Sequence, residues 1–209
     1  MCLESEIEKT TASDLQDLYY SDHRPWVVAF SGGKDSTLLL QWVFHLLKRL
    51  GSRASKPVHI VSSDTRVEAP NVGAYLKAVL ARIEEGGRRH GLDLHVHLVS
   101  PEPQESFWRK LIGKGYPSPT RWFRWCTTNM KIRPTRRVIE QITREYGSVV
   151  LLLGTRTDES SERGKRMKDR VHTARGLNSH HEIPNAPVLR TANPFDDFLP
   201  INQYVVPGC

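Results

Sequence analysis

The chain has 209 residues, enough for one domain with a buried core, and its 38% hydrophobic and 25% charged residues are typical of a soluble protein. No apolar run approaches the roughly 20 residues of a membrane helix, and the acidic start of the chain lacks the pattern of a signal peptide, so we expect a cytoplasmic protein with no membrane partner. The net charge of +7 favours polyanionic partners such as nucleic acid, although a surface that binds nucleotide phosphates would have the same balance.

Helical and strand-like segments alternate along most of the chain. In chain order the pattern predicts a helix at 3–20, a strand at 26–30, a helix at 35–50 that ends at Gly51, a strand at 58–62, a helix from 70 to about 87, a strand at 92–99, a short helix at 106–112, a long loop at 113–133, a helix at 134–146 and a strand at 149–153.

This alternation predicts an α/β fold, with an open and mostly parallel sheet and helices on both of its faces. In such sheets ligands bind beyond the carboxyl ends of the strands. The predicted organisation is an N-terminal helix at 1–24, one nucleotide-binding domain at 25–175 and an irregular tail at 176–209. The tail ends abruptly at Cys209, and truncation of a longer protein is one interpretation of that end.

The strongest functional signal is a glycine-bearing loop between the first strand and the following helix. Its sequence is Ser31-Gly32-Gly33-Lys34-Asp35-Ser36. The glycines allow the backbone to approach phosphates closely, and the helix N-terminus directs N–H groups at the anion. The two serines add hydroxyl donors and Lys34 adds a positive charge, while Asp35 binds Mg²⁺, caps the helix, or does both. An ordinary capped strand–helix junction is the alternative interpretation.

This loop resembles the pyrophosphate loop of the adenine nucleotide α-hydrolases, a Rossmann-like superfamily that includes phosphoadenosine-phosphosulfate reductases, ATP sulfurylase subunits and tRNA-thiolating enzymes. The resemblance implies cleavage of ATP between its α- and β-phosphates. Three further segments narrow it, namely 62–70, 125–134 (Trp-Cys-Thr, then Lys-Ile-x-Pro) and 154–163 (Gly-x-Arg-x-x-Glu-Ser-x-x-Arg). Together they are similar to the DndC family of DNA phosphorothioate modification and its relative SspD.

The resemblance to DndC implies an ATP-dependent sulfurtransferase that adenylates a DNA backbone phosphate with Mg²⁺. A cysteine desulfurase would supply the sulfur, and other DNA phosphorothioation proteins would be partners. The implied phosphate-binding residues are Ser31, Gly32, Gly33, Lys34, Asp35 and Ser36. Asp64 and Gly154 would border the nucleotide. Arg156 and Arg163 would neutralise phosphate charge, and Glu159 would orient an arginine. For the stretch around Arg163, a solvated run of charges is the alternative.

The role of Cys126 stays open between three interpretations. Its positively charged neighbours favour the thiolate, which is the nucleophilic and metal-binding form. It is then either a sulfur carrier in catalysis or, as the family implies, a ligand of an iron–sulfur cluster together with Cys209. The third interpretation is a small buried apolar residue. The chain has three cysteines, so the ligand set for such a cluster is incomplete.

A group of aromatic residues also has two interpretations. Trp122, Phe123 and Trp125 alternate with Arg121 and Arg124, which suits either nucleic-acid binding by stacking and charge or the edge of a core. Two other functions compete with DNA modification. One is sulfate assimilation, as a phosphosulfate reductase or an ATP sulfurylase subunit, and the other is a truncated, non-catalytic nucleotide- or DNA-binding module.

Overall fold

A computed structural model of the chain describes residues 12–120, 122–155 and 201–207. In these residues five parallel strands form one open sheet in the order β3-β2-β1-β4-β5. The strands are β1 (Trp26–Ala29), β2 (Val58–Ser63), β3 (Leu94–Val99), β4 (Val149–Thr155) and β5 (Ile201–Pro207). The predicted α/β class and parallel sheet are therefore confirmed.

Helices precede or connect these strands in the described residues. They are α1 (12–20), α2 (Lys34–Leu50), α3 (Pro70–Arg89), α4 (Trp125–Thr127) and α5 (Arg133–Tyr146), with π-helical turns at Arg109–Gly113 and Thr128–Ile132. Gly51 ends α2 with a positive φ of 54°, as the sequence predicts. None of the helices in these ranges is long and apolar enough to cross a lipid bilayer.

Each central strand buries side chains on both faces of the sheet. Val28 and Leu152 belong to a core that contains residues of α1, α2 and α3, whereas Val27 and Leu151 belong to a core that contains residues of α5. Successive strand residues point to opposite faces, and a sheet covered on both faces needs near-continuous apolar strands. Helices therefore lie on both faces, as predicted.

The central strand β1 marks the point where the strand order reverses. Trp26 pairs with Val58 of β2 on one side and with Val150 of β4 on the other. The chain moves outward from β1 through β2 to β3, and then returns to the opposite side of β1 to form β4. Such a reversal opens a crevice at the carboxyl ends of the strands, where ligands of this fold class bind.

Three predicted boundaries are wrong. The helix predicted to end near Gly86–Gly87 continues to Arg89. Gly87 lets α3 pack closely against β3, since a Cβ there would lie 2.9 Å from Leu94 Cδ1. The predicted loop at 113–133 becomes helical at Trp125 and leads without a break into α5. The short helix predicted at 106–112 is largely the π-helical turn Arg109–Gly113.

The predicted irregular tail contains one regular element. Its residues Ile201–Pro207 form β5, in register with Val149–Thr155 of β4. A strand at the edge of a parallel sheet is recognised mainly by its pairing partner, and that partner lies about 50 residues earlier in the sequence. The remainder of the tail lies outside the described residues.

Candidate functional site

The glycine-bearing loop joins the carboxyl end of β1 to the N-terminus of α2. Gly32 has a φ of +74°, a conformation that favours glycine. Gly33 is the N-cap residue, and its carbonyl accepts the first helical bond from the Thr37 N–H at 2.9 Å. The N–H groups of the first turn, which begins at Lys34, lack intrahelical acceptors and carry the positive end of the helix dipole. This geometry suits an anion.

Asp35 does not cap the helix in this structure. Because Gly33 is the N-cap, Asp35 lies in the first turn of α2, where a negative charge is stabilised by the helix dipole. The prediction that Asp35 caps the helix is therefore wrong, while Mg²⁺ binding by Asp35 stays a prediction.

The two serine hydroxyls hold the loop together. Ser36 is buried, and its Oγ donates to the Gly33 carbonyl at 3.0 Å and accepts from the Ser31 N–H at 3.3 Å. The two hydroxyl oxygens lie 3.1 Å apart. These bonds close a ring from Ser31 to Ser36 and fix the backbone of the loop before any ligand binds. They give both hydroxyls a structural role in addition to the predicted contact with phosphate.

Gly154 holds the end of β4 against the same loop. A Cβ at this position would clash with the Asp35 carbonyl, at 2.7 Å from its carbon atom, and would lie 3.0 Å from the Ser36 nitrogen. Only a residue without a side chain allows this approach. Gly154 also lines the adjacent cavity, so the predicted border of the nucleotide site is also a contact between two backbone segments.

A cavity of about 320 Å³ opens beside the loop at the carboxyl ends of β1, β2 and β4. Its volume is in the range of small-molecule sites. It is lined by Ala29, Phe30, Ser31, Gly32, Ser36, Val61, Ser63, Asp64, Glu68, Val72, Gly73, Tyr75, Leu76, Lys131, Thr135, Leu153 and Gly154. Five predicted site residues are thus brought together: Ser31, Gly32, Ser36, Asp64 and Gly154.

Asp64 is oriented by the turn that follows β2. Its Oδ1 accepts from the Arg66 N–H at 3.0 Å, and its Oδ2 lies 3.8 Å from the Lys77 ammonium group. Arg66 has a positive φ of 59°, a strained conformation for a residue with a side chain. The bond from Asp64 supports this turn, and Glu68 adds a second carboxylate to the cavity wall.

Two lysines supply positive charge near this end of the sheet. Lys34 is exposed in the first turn of α2. Lys131 lies in the π-helical turn before α5 and lines the cavity. The end of β2 is joined to α5 by the hydroxyl groups of Ser63 and Thr135, 3.1 Å apart. That contact brings the helix that follows Lys131 against the crevice.

Several cavity residues were not predicted from the sequence. They are Ser63, Glu68, Tyr75, Lys131 and Thr135, which come from β2, its following turn, α3 and the region around α5. Lys131 had a signal, because it belongs to the Lys-Ile-x-Pro pattern of the segment 125–134. Tyr75 lies next to the buried Leu76 on α3. The sequence does not show which helix faces the crevice, so it did not identify Tyr75 as a cavity residue.

Cys126 is a free, half-buried cysteine in α4. Among the described residues it is not part of the cavity wall. A 4Fe–4S cluster takes four cysteine ligands, whereas the described residues contain one cysteine and no group of three metal-binding side chains. This part of the chain does not fit a cluster. Cys209, Arg156, Glu159 and Arg163 lie outside the described residues, and their roles stay predictions.

The two interpretations of the aromatic group apply to different residues. Trp125 is 7% exposed, stacks on Phe107 with ring centroids 5.4 Å apart, and donates from Nε1 to the Pro117 carbonyl at 3.0 Å. Trp122 is 91% exposed and Phe123 is 46% exposed. Trp125 therefore belongs to a core edge, and its two neighbours lie on the surface.

A histidine cluster lies on the sheet toward the amino ends of β2 and β3. His59 is buried, its Nδ1 lies 3.1 Å from His97 Nε2, and its ring stacks on His95 with centroids 4.9 Å apart. Burial, reinforced by the two neighbouring histidines, lowers the pKa of His59 to about 4. His95 and His97 lie on β3, in agreement with the predicted strand at 92–99. Neither residue lines the cavity beside the loop.

A comparison with family models decides the family. The model of the phosphoadenosine phosphosulfate reductase domain matches residues 25–190, which is well over half of the chain. The chain belongs to this family. The predicted superfamily is thereby confirmed at the level of nucleotide-using enzymes of sulfur transfer, while the resemblance to DndC stays a prediction.

The individual relatives either have low sequence identity to this chain or match it over only part of their own length. The uncharacterized protein MJ0066 of Methanocaldococcus jannaschii is 32% identical over 167 residues, which are 79% of this chain and 29% of that protein. The chain thus spans less than a third of that relative. The structure of the U34-tRNA thiolase NcsA from Methanococcus maripaludis with its 4Fe–4S cluster is similar with a TM-score of 0.49 and 13% identity, over 99% of this chain and 60% of that chain.

A second solved structure is less similar. It is the phosphoadenylyl-sulfate reductase from Candida auris in a phosphate complex, with a TM-score of 0.38 and 18% identity, over 73% of this chain and 66% of that chain. Both likenesses are too weak to bear on function.

Proposed function

We propose that the chain is a cytoplasmic ATP pyrophosphatase and sulfurtransferase that adenylates a DNA backbone phosphate for phosphorothioate modification. A non-bridging oxygen of the DNA phosphate attacks the α-phosphorus of ATP, and pyrophosphate leaves. A cysteine persulfide loaded by a cysteine desulfurase then attacks the DNA phosphorus through its terminal sulfur, and AMP leaves with the oxygen. A thiol reductant cleaves the S–S bond of this adduct, which leaves the sulfur on the DNA phosphate and forms a disulfide with the carrier thiol. Adenylation is needed because an unactivated phosphate oxygen is a very poor leaving group.

The carrying observation is the loop at 31–36 at the reversal point of the sheet, beside a cavity of about 320 Å³. Catalysis of phosphoryl chemistry rests on positioning and charge stabilisation. The fixed amide groups of the first turn of α2 and the ammonium group of Lys34 supply positive charge for the β- and γ-phosphates, the leaving pyrophosphate. Because the hydrogen bonds of Ser36 already order the loop, little reorganisation accompanies ATP binding.

The cavity has donors and acceptors for the rest of the reaction. Asp64 and Glu68 line the cavity, and together with Asp35 in the first turn of α2 they are oxygen ligands of the kind that Mg²⁺ uses with nucleotide phosphates. Bound Mg²⁺ would supply charge neutralisation at the phosphates. Lys131 also lines the cavity and would neutralise charge on the α-phosphate or the DNA phosphate.

The remaining roles come from the resemblance to DndC. Arg156 and Arg163 would bind phosphate oxygens, Glu159 would orient one of them, and Cys126 would carry sulfur. Partners would include DNA, the cysteine desulfurase and other proteins of DNA phosphorothioation. Because the chain spans less than a third of its relative MJ0066, these activities and partners are part of the proposal.

The first test is the identity of the products from ATP. With Mg²⁺ and a DNA substrate, we expect AMP and pyrophosphate, measured by chromatography of radiolabelled ATP. Lys34→Ala should lower the rate by about 100-fold or more, since a group that stabilises developing charge is lost. Lys48→Ala is the matched control, because Lys48 is an exposed lysine in the last turn of the same helix. Formation of ADP and phosphate would contradict cleavage between the α- and β-phosphates.

The family match favours a second candidate, a sulfate-assimilation enzyme. A phosphosulfate reductase would bind the sulfur-bearing nucleotide itself, and an ATP sulfurylase subunit would respond to sulfate. The proposed DNA enzyme should be indifferent to both compounds. Stimulation of turnover by sulfate or by phosphoadenosine phosphosulfate would therefore select this second candidate.

A further inference from the structure

We propose that the segment 106–125 is a stacking platform that binds an unpaired DNA strand. The choice of DNA as the polymer rests on the proposed function, whereas the surface and the mode of binding rest on the structure. The platform is the set of exposed aromatic side chains Trp108, Trp122 and Phe123, with the cationic side chains around them. It lies on the connection between β3 and α5, apart from the residues that line the cavity.

The charge of this segment is entirely of one sign. Residues 106–125 contain five lysines and arginines and no aspartate or glutamate. Arg109, Lys114 and Arg124 are exposed. The two carboxylates just before the segment are engaged in ion pairs, Glu102 with Arg137 and Glu105 with Lys110 at 2.7 Å. The surface therefore attracts a polyanion, and the strand of nucleotides is the polyanion with stacking groups.

The exposed rings are held by a rigid base. Trp125 is packed between Phe107 and Tyr116, with centroids 5.4 and 5.5 Å away. The buried Lys110 lies over the Tyr116 ring at 4.9 Å, and its carbonyl accepts from the Tyr116 N–H at 3.0 Å. The exposed rings thus project from an ordered segment, which lowers the entropic cost of binding.

A tight turn presents two of the three exposed rings. The Phe123 N–H donates to the Thr120 Oγ1 at 3.1 Å, and the Thr120 N–H donates to the Phe123 carbonyl at 3.3 Å. This pairing closes the turn and places Trp122, 91% exposed, at its tip. The third exposed ring, Trp108, is 57% exposed and contacts Phe107 edge-on, with ring centroids 5.1 Å apart.

The arrangement favours an unpaired strand over a duplex. Aromatic rings stack on the faces of bases, and in a duplex those faces are covered by neighbouring bases. A duplex would use only the cationic side chains, through its phosphates. The platform would therefore hold nucleotides that have left the helical stack near the site of modification.

The test is equilibrium binding of the full chain to a fluorescent 20-nucleotide single strand and to the duplex of the same sequence, measured by anisotropy at low salt. Trp122→Ala should weaken single-strand binding by about 5- to 100-fold, the range for loss of one stacked base. Trp122→Phe should retain most of the affinity. Tyr20→Ala is the control, since Tyr20 is an exposed aromatic residue on α1. Binding should also quench tryptophan fluorescence, less so in Trp122→Phe.

Several outcomes would overturn the platform. They are equal affinities of Trp122→Ala and Tyr20→Ala, tighter binding of duplex than of single strand, a preference for an RNA strand of the same sequence, or self-association of the chain that Trp122→Ala abolishes without any effect on DNA binding. Formation of AMP from ATP is measured separately with each variant. Its absence in all of them would refute the proposed function and leave the platform standing if Trp122 still governs DNA binding.

Discussion

Gly154→Ala tests the contact between the end of β4 and the phosphate loop. The new methyl group would lie 2.7 Å from the Asp35 carbonyl carbon and 3.0 Å from the Ser36 nitrogen, well inside the usual separation of about 3.5 to 4 Å. Both are backbone atoms, so no side-chain rotation relieves the overlap. Overpacking of this kind costs about 1–3 kcal/mol. At about 2 °C to 4 °C per kcal/mol for a chain of this size, the melting temperature should fall by roughly 2–12 °C.

Gly154→Ala should also lower the rate of AMP formation, by a larger factor than its loss of stability would explain. Relief of the overlap moves β4 away from α2 by a few tenths of an ångström or more, which displaces the loop that we propose binds ATP. A displacement of about 1 Å at a reacting group can cost about 100-fold in rate. Thermal unfolding followed by circular dichroism gives the first quantity, and AMP formation at saturating ATP gives the second.

Gly73→Ala is the matched control for Gly154→Ala. Gly73 lines the same cavity but lies on α3, where an added Cβ meets nothing within 4 Å. Alanine there should stabilise the helix by up to about 1 kcal/mol. If Gly154→Ala melts at the wild-type temperature and forms AMP at the wild-type rate, β4 and α2 are not in the close contact on which the reasoning depends.

Two further predictions concern buried ionisable groups. The lowered pKa of His59, about 4 against an ordinary 6.5, means that the unfolded chain takes up a proton first as the pH falls; stability should decline from about pH 6.5 toward pH 4, by at most about 3 kcal/mol. The free energy of unfolding, measured with urea at each pH, should decline less in His59→Gln than in the wild type, whereas the exposed His45→Gln should decline as the wild type does. Equal declines in the two variants would show that His59 is not the cause. The buried Lys56 ammonium lies 3.0 Å from Asp22, and burial lowers its pKa, so Asp22→Ala should cost about 3 kcal/mol. Adding Lys56→Met to Asp22→Ala should recover most of that loss, and no recovery would show that the buried charge is not the reason.

The fold was predictable because its main signals are local. The apolar run at 26–30 and the amphipathic pattern at 35–50 appear as β1 and α2 within one or two residues. The loop between them was recognised because its glycines and charged residues are adjacent in the chain. The helical start at Trp125 was not predictable, since a short turn followed by a π-helical turn has no regular apolar period.

The candidate site was predictable only in part. Asp64 and Gly154 follow strands, and the carboxyl ends of parallel strands share one edge of the sheet. Tyr75 and Thr135 could not be assigned, because their places in the cavity depend on how α3 and α5 pack. Exposure within the aromatic group could not be assigned from the sequence either. Trp125 is buried because it packs between Phe107 and Tyr116, whereas Phe123, two residues earlier, is exposed.

The sequence by itself determined the first four strands, the helices α2, α3 and α5, the glycine-bearing loop and the family, because each depends on residues that are near one another along the chain. Tertiary structure alone decided that Gly154 touches Asp35, that Lys131 reaches the cavity and that Trp122 is on the surface while Trp125 is buried. The physical reason is that close contact and exclusion of water are properties of packed surfaces. Those surfaces are built from segments that lie far apart in the sequence.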